Sequence, residues 1–246
     1  MVEHDYEPTA EEAKFVKCHD HLREELNNAY WHWSICKFLH SARASHAHEL
    51  NTAPAFFELT WYGHFLQAVM RLTRLLSKGK KDLSMWWLLD FVDENRPAFQ
   101  SRAFQRRMRQ HPAYRNGGTP RVPMRVTLRS VAKDRQLLAR LPAKNLRVWR
   151  NKALAHVDID HVLSGIEVAK QYPVKVAELD CIIEVIDEVL DRYSLAYNGT
   201  SHSKGLPLQI GMQYIIDAIG EKLHRDEQSK LESTQGSNGR IGSSEA

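Results

Sequence analysis

Residues 146–158 read LRVWRNKALAHVD. Wound at about 100° per residue, Leu146, Trp149, Ala153, Leu154 and Val157 fall on one broad arc. The stretch is therefore expected to be an amphipathic helix with its apolar side against a core. Arg150 falls inside that arc, and His156 lies at its edge, about 20° from Trp149. A guanidinium on an apolar face is costly unless it is paired or lines a site. That conflict makes Arg150, its neighbour Asn151 and His156 the candidate functional residues.

Outward from this stretch the chain reads as helices throughout. Thr9-Ala10-Glu11-Glu12 is a capping box. It opens a long amphipathic helix to about residue 48, with Phe15, Cys18, Leu22, Leu26, Ala29, Trp33 and Cys36 on its stripe. Pro54 starts a second helix, apolar nearly all round from Ala55 to Leu76, as expected of a central helix or one shared with a partner subunit. Ser84 caps a short helix, Met85 to Val92. Residues 97–141 form a basic helical insert interrupted by a loop at 111–123, where Gly117-Gly118 and three prolines fall. The motif helix follows Pro142. A helix from Pro173 to about residue 197 has Cys181 among its buried positions and is otherwise acidic, through Glu178, Glu184, Asp187, Glu188 and Asp191. A last amphipathic helix spans 206–223. No alternating stretch is long enough for a sheet, so the fold class expected is all-α: long up-down helices with extra short ones. Residues 1–8 are expected to be an extension, 9–224 one helical domain, and 225–246, rich in Ser, Gly and Gln, a disordered tail.

At 246 residues and 43% apolar, the chain can bury one sizeable core or two small ones. No run reaches the roughly 18 apolar residues of a membrane span. The acidic N-terminus has no apolar segment, so a secretory signal is not expected. Three scattered cysteines without a CxxC fit a reducing cytoplasm. His32, Cys36 and His40, at i, i+4 and i+8, can present a soft face to a metal, but Cys36 lies on the core stripe and no fourth ligand is evident; no metal or cofactor is expected. The net charge of +4 hides an asymmetry. Residues 101–150 hold 14 Lys or Arg against a single acid, Asp134, a net of +13, whereas the remainder is at −9. Such a block is the footprint of a polyanion site, with Arg102, Arg106, Arg107, Arg109, Arg125, Arg129 and Lys152 as candidate RNA contacts. The alternative is a basic helix pair that meets the acidic segments, within the chain or across a dimer.

An Arg, a polar residue and a His six positions after the Arg, near the end of a helix in an all-helical chain, resembles the HEPN superfamily. The wording Arg150-Asn151-Lys152-Ala153-Leu154-Ala155-His156-Val157-Asp158 is most similar to its abortive-infection AbiU-type branch. The resemblance covers roughly residues 10–200. It implies a HEPN-like helical bundle that dimerises, and a metal-independent ribonuclease acting in toxin–antitoxin or phage-defence biology.

The residue types suit that chemistry. Imidazole titrates near neutrality, so His156 can serve as base or acid. Arg150 offers a permanently charged fork for phosphate oxygens, and Asn151 can hold the phosphate or orient the imidazole. On an ideal helix Arg150 and His156 stand about 120° apart, so both meet one phosphate only if the helix loosens or two subunits contribute. RNA and a second copy of the chain are the expected partners, with an antitoxin protein as a further one. Two alternatives remain: a HEPN module without catalysis that dimerises or binds nucleotides or RNA, and a DNA-binding regulator using the basic block. In the non-catalytic case, Arg150 pairs with Glu178, Glu184 or Asp187.

Overall fold

A computed structural model describes residues 7–110, 125–151, 168–202 and 209–238. The chain is all-α, with no strand among the described residues. In order, the helices are α1 (Ala10–Ser45), α2 (Ala47–Leu50), α3 (Pro54–Leu75), α4 (Met85–Glu94), a 3₁₀ turn (Arg96–Phe99), α5 (Ser101–Gln110), α6 (Leu128–Arg140), α7 (Lys144–Trp149), α8 (Val168–Gln171), α9 (Val176–Asn198) and α10 (Gln209–Asn238). Among the described residues no helix is long and apolar enough to cross a membrane.

The helix starts follow local chemistry. Glu12 N–H donates to Thr9 Oγ1 at 3.2 Å, and Thr9 N–H returns to Glu12 Oε2 at 3.0 Å. These bonds satisfy backbone donors that a helix N-terminus leaves open. Ser84 Oγ accepts from Trp87 N–H and starts α4. α9 stops at Gly199, whose φ of +70° is the left-handed conformation a glycine adopts without a Cβ clash.

The expected helical domain 9–224 divides into two compact units, 1–30 with 66–205 and 31–65 with 206–246. The boundary falls inside α1 and α3. A helix of 36 residues such as α1 is about 54 Å long, beyond what one small core spans, so its two halves bury their stripes in different clusters. In the first unit, Phe15, Leu22 and Leu26 of α1, Leu72 and Leu75 of α3, Leu88 and Leu89 of α4, and Leu179, Ile182, Ile186 and Leu190 of α9 are buried. Arg71 donates to Glu25 at 2.9 Å and ties α3 to α1. In the second unit Ile35, Leu39, Ala42, Leu50, Phe57 and Ile216 form the core. There His32 Nδ1 lies 2.7 Å from His64 Nδ1, and the Cys36 thiol donates to the Trp61 carbonyl. Burial pushes the Cys36 thiol up to about 12 and lowers the pKa of His64.

Three sequence expectations change. The helix α10 continues past His224 to Asn238, through the stretch from 225 expected to be disordered. Residues 221–231, EKLHRDEQSKL, are mostly good helix formers, and the Ser- and Gly-rich composition begins only beyond them. Cys181 is exposed rather than buried, because α9 turns Leu179, Ile182 and Ile183 inward. On the acidic side of α9, Asp187 and Asp191 both pair with Arg23 of α1, which lies outside the basic block. Between α9 and α6 the polarity is reversed, since Arg192 of the acidic helix pairs with Asp134, the single acid of the basic block. Tyr193 donates its hydroxyl to the other Asp134 oxygen at 2.7 Å.

Candidate functional site

Arg150 follows the short helix α7, which two side chains fix in place. Trp149 Nε1 donates to the Tyr172 carbonyl at 2.8 Å, and Asn145 Nδ2 donates to the Pro173 carbonyl at 2.7 Å. At Arg150 and Asn151 the backbone widens into a π-type turn, a rare geometry found mostly as single turns and often at functional sites. The α-geometry on which an ideal-helix offset rests is not kept at Arg150 and Asn151. His156 and Lys152 lie outside the described residues, as does the loop expected at 111–123.

The Arg150 side chain is half-buried, and its Nε donates to Asn151 Oδ1 at 3.0 Å. Asn151 thus holds the guanidinium in orientation, and its two terminal nitrogens have no partner among the described residues. Among the described residues no acid pairs with Arg150. Of the acids proposed above as its partners, Asp187 pairs with Arg23, and Glu178 caps the start of α9, its Oε2 accepting from Lys175 N–H at 3.2 Å. Arg150 instead lines a cavity of about 390 Å³ bordered by His21 and Glu25 of α1, Arg74 of α3, and Lys81 and Asp82 of the 76–84 connection. None of His21, Arg74 or Lys81 was legible as a site residue. Each is an exposed polar side chain on a helix or turn, and only the packing of α1, α3 and α7 brings them to Arg150.

The candidate RNA contacts separate into two sets. Arg102, Arg106 and Arg109 are exposed on α5. Arg125 and Arg129 are exposed beside the start of α6 and, with Arg96, border an open cavity of about 680 Å³. Arg107 differs from expectation. It is buried, its three nitrogens donating to the Tyr197 carbonyl at 2.8 Å, Glu12 Oε1 at 2.7 Å and the Ala98 carbonyl at 2.7 Å, with its guanidinium carbon 3.9 Å from the Tyr197 ring centre. It is on the apolar stripe of α5 with Ala103, Phe104 and Met108, so no phosphate reaches it. Removing one partner of such a pair leaves a buried charge uncompensated. Arg107→Ala is expected to lower stability by about 3–5 kcal/mol in urea unfolding.

Among the described residues no group of three or more His, Cys, Asp or Glu is placed to hold a metal. His32 and Cys36, two of the three residues at i, i+4 and i+8 on α1, are engaged with His64 and Trp61.

The family model for HEPN AbiU2 matches residues 12–210 of the chain. No curated protein and no solved structure matches it.

Proposed function

This chain belongs to the HEPN AbiU2 family, and from that premise we propose that it is a metal-independent endoribonuclease serving as a toxin or abortive-infection component. The observation that carries the proposal is Arg150: a half-buried guanidinium with no acid partner among the described residues, steered by Asn151 and opening on a cavity. A guanidinium partly withdrawn from water without a counter-ion costs free energy. An arrangement that keeps one is accounted for by an anionic ligand that completes it. Arg150 would take the phosphate oxygens, and His156 would move a proton between the 2′-hydroxyl, the phosphate ester and the leaving 5′-oxygen.

The exposed arginines supply affinity. Arg102, Arg106, Arg109, Arg125 and Arg129 can contact phosphates along a strand without reading sequence, and Lys152 adds a charge within the motif. A second copy of the chain is the proposed partner. Phe56, Leu59 and Tyr62 of α3 are 56, 71 and 43% exposed, and one helical face that shows three large apolar side chains to water is typical of a covered surface. An antitoxin protein that neutralises the activity is proposed as a second partner, and the cytoplasm as the place of action.

Incubating the protein with total RNA in the presence of a chelator tests this. Cleavage that leaves 2′,3′-cyclic phosphate and 5′-hydroxyl ends is expected. RNA bound but left intact would assign the chain to the non-catalytic HEPN modules. Binding should weaken steeply with salt, as counterion release requires. Reversing Arg102, Arg106 and Arg109 to Glu should lower affinity for all RNA sequences alike and flatten that dependence. An unchanged salt slope would return these arginines to a solvated surface.

A further inference from the structure

The cavity beside Arg150 holds more charge than the motif accounts for. Arg74 and Lys81, like the terminal nitrogens of Arg150, have no hydrogen-bond or ion-pair partner among the described residues, yet they border one space of about 390 Å³. Of the two acids at the same cavity, Glu25 is paired with a cation, whereas Asp82 is held by a neutral hydroxyl. Glu25 accepts from Arg71 at 2.9 Å, and Asp82 takes the Ser77 hydroxyl. The connection between α3 and α4 is built so that Asp82 folds back. Ser77 Oγ bonds both Asp82 and Gly79 N–H, Asp82 N–H donates to the Gly79 carbonyl, and a Cβ at Gly79 would collide with the Asp82 carboxylate. Three cations that no acid pairs with among the described residues, set against the one carboxylate of Asp82, leave the concavity net positive, which fits a phosphate group. The remaining titratable side chain at its rim is His21, exposed on α1 one helical turn before Glu25.

Transesterification of RNA needs two proton transfers. As the O2′–P bond forms, the 2′-hydroxyl proton goes to a neutral imidazole. As the P–O5′ bond breaks, the leaving oxygen takes a proton from an imidazolium. The products are a 2′,3′-cyclic phosphate and a 5′-hydroxyl, and the count of protons on the protein is unchanged. His156 is one such group in the function proposed above. We propose that His21 is the second, and that Arg74 and Lys81 share the scissile phosphate with Arg150 in this cavity. This rests on the ribonuclease function and adds α1 and the end of α3 to its site.

The experiment has a catalytic arm and a binding arm. For His21→Asn, a fall in cleavage rate of about 10²-fold or more is expected, with one limb of the pH–rate profile lost. Affinity for an RNA analogue carrying a single 2′-deoxy substitution at the cleaved position should stay within about threefold, since the residue moves a proton rather than holding the phosphate. The helix position is exposed, so circular dichroism and melting should match the parent. For Arg74→Ala and Lys81→Ala, affinity for the same analogue should fall about tenfold, with the slope of log affinity against log salt reduced by about 0.7 each. Parent-like cleavage and an intact two-limbed profile in His21→Asn would overturn the assignment of His21 while leaving the ribonuclease function standing. Parent-like affinity in both cation variants would overturn the phosphate subsite. Absence of cleavage by the parent protein would instead sink the ribonuclease function itself and the assignment of His21 with it, and the binding arm would still decide the subsite.

Discussion

His156→Ala is expected to lower the rate of RNA cleavage by about 10²–10⁴-fold while RNA affinity stays within about twofold. Loss of a proton-transfer group removes stabilisation that exists only in the transition state, so kcat and kcat/KM fall together and ground-state binding survives. The affinity comes from elsewhere, from Arg150 at the cavity and from the exposed arginines of α5 and the start of α6. The cellular counterpart is that expression of the parent protein, but not of His156→Ala, stops growth. The opposite pattern belongs to a structural histidine, as His19 shows. Its Nε2 donates to the Leu190 carbonyl at 3.0 Å, and burial lowers its pKa. Substituting such a residue moves melting temperature, not turnover. If His156→Ala cleaves RNA at the parent rate, with or without chelator, the imidazole has no part in the reaction.

Two arginines show what the sequence makes legible and what it withholds. Arg107 and Arg150 both interrupt an apolar stripe, and the rule that flagged Arg150 applies equally to Arg107, which lies beside Met108 and one turn beyond Ala103 and Phe104. Their fates differ because of residues far away in the chain. Glu12, 95 positions earlier, and the Tyr197 carbonyl close the Arg107 shell. Around Arg150 the two acids at its cavity bond elsewhere, Glu25 to Arg71 and Asp82 to the Ser77 hydroxyl. Local periodicity can locate a conflict, but only tertiary packing decides whether it is resolved inside the protein or left for a ligand. Caps were legible for the converse reason. Thr9 with Glu12, and Ser84 with Trp87, act over three residues, so a short window contains the whole interaction. The division into two units was not legible, because the stripe of α1 runs unbroken through the boundary at residue 30 and carries no mark of which cluster each half enters.

Arg150 should fail in a different way from His156. The charge meets the phosphate in the ground state and again as negative charge builds on the phosphorane, so Arg150→Ala is expected to lower both affinity and turnover, the latter by about 10²–10³-fold. Arg150→Lys should recover part of the affinity and little of the rate. An ammonium supplies the charge but not the planar fork, and it lacks the Nε–H that Asn151 Oδ1 holds at 3.0 Å. Asn151→Ala then becomes a graded control. With the guanidinium present but no longer steered, affinity should change less than rate, because orientation matters most where the transition state is tightest. Stability offers a third readout with a definite sign. Among the described residues no acid pairs with Arg150, so deleting it breaks no ion pair there and relieves a half-buried charge; Arg150→Ala should melt at or above the parent temperature, whereas Arg107→Ala melts well below it. A structural lock at Arg150 predicts the reverse: a loss of melting temperature or of the dimer comparable with that of Arg107→Ala, at unchanged turnover.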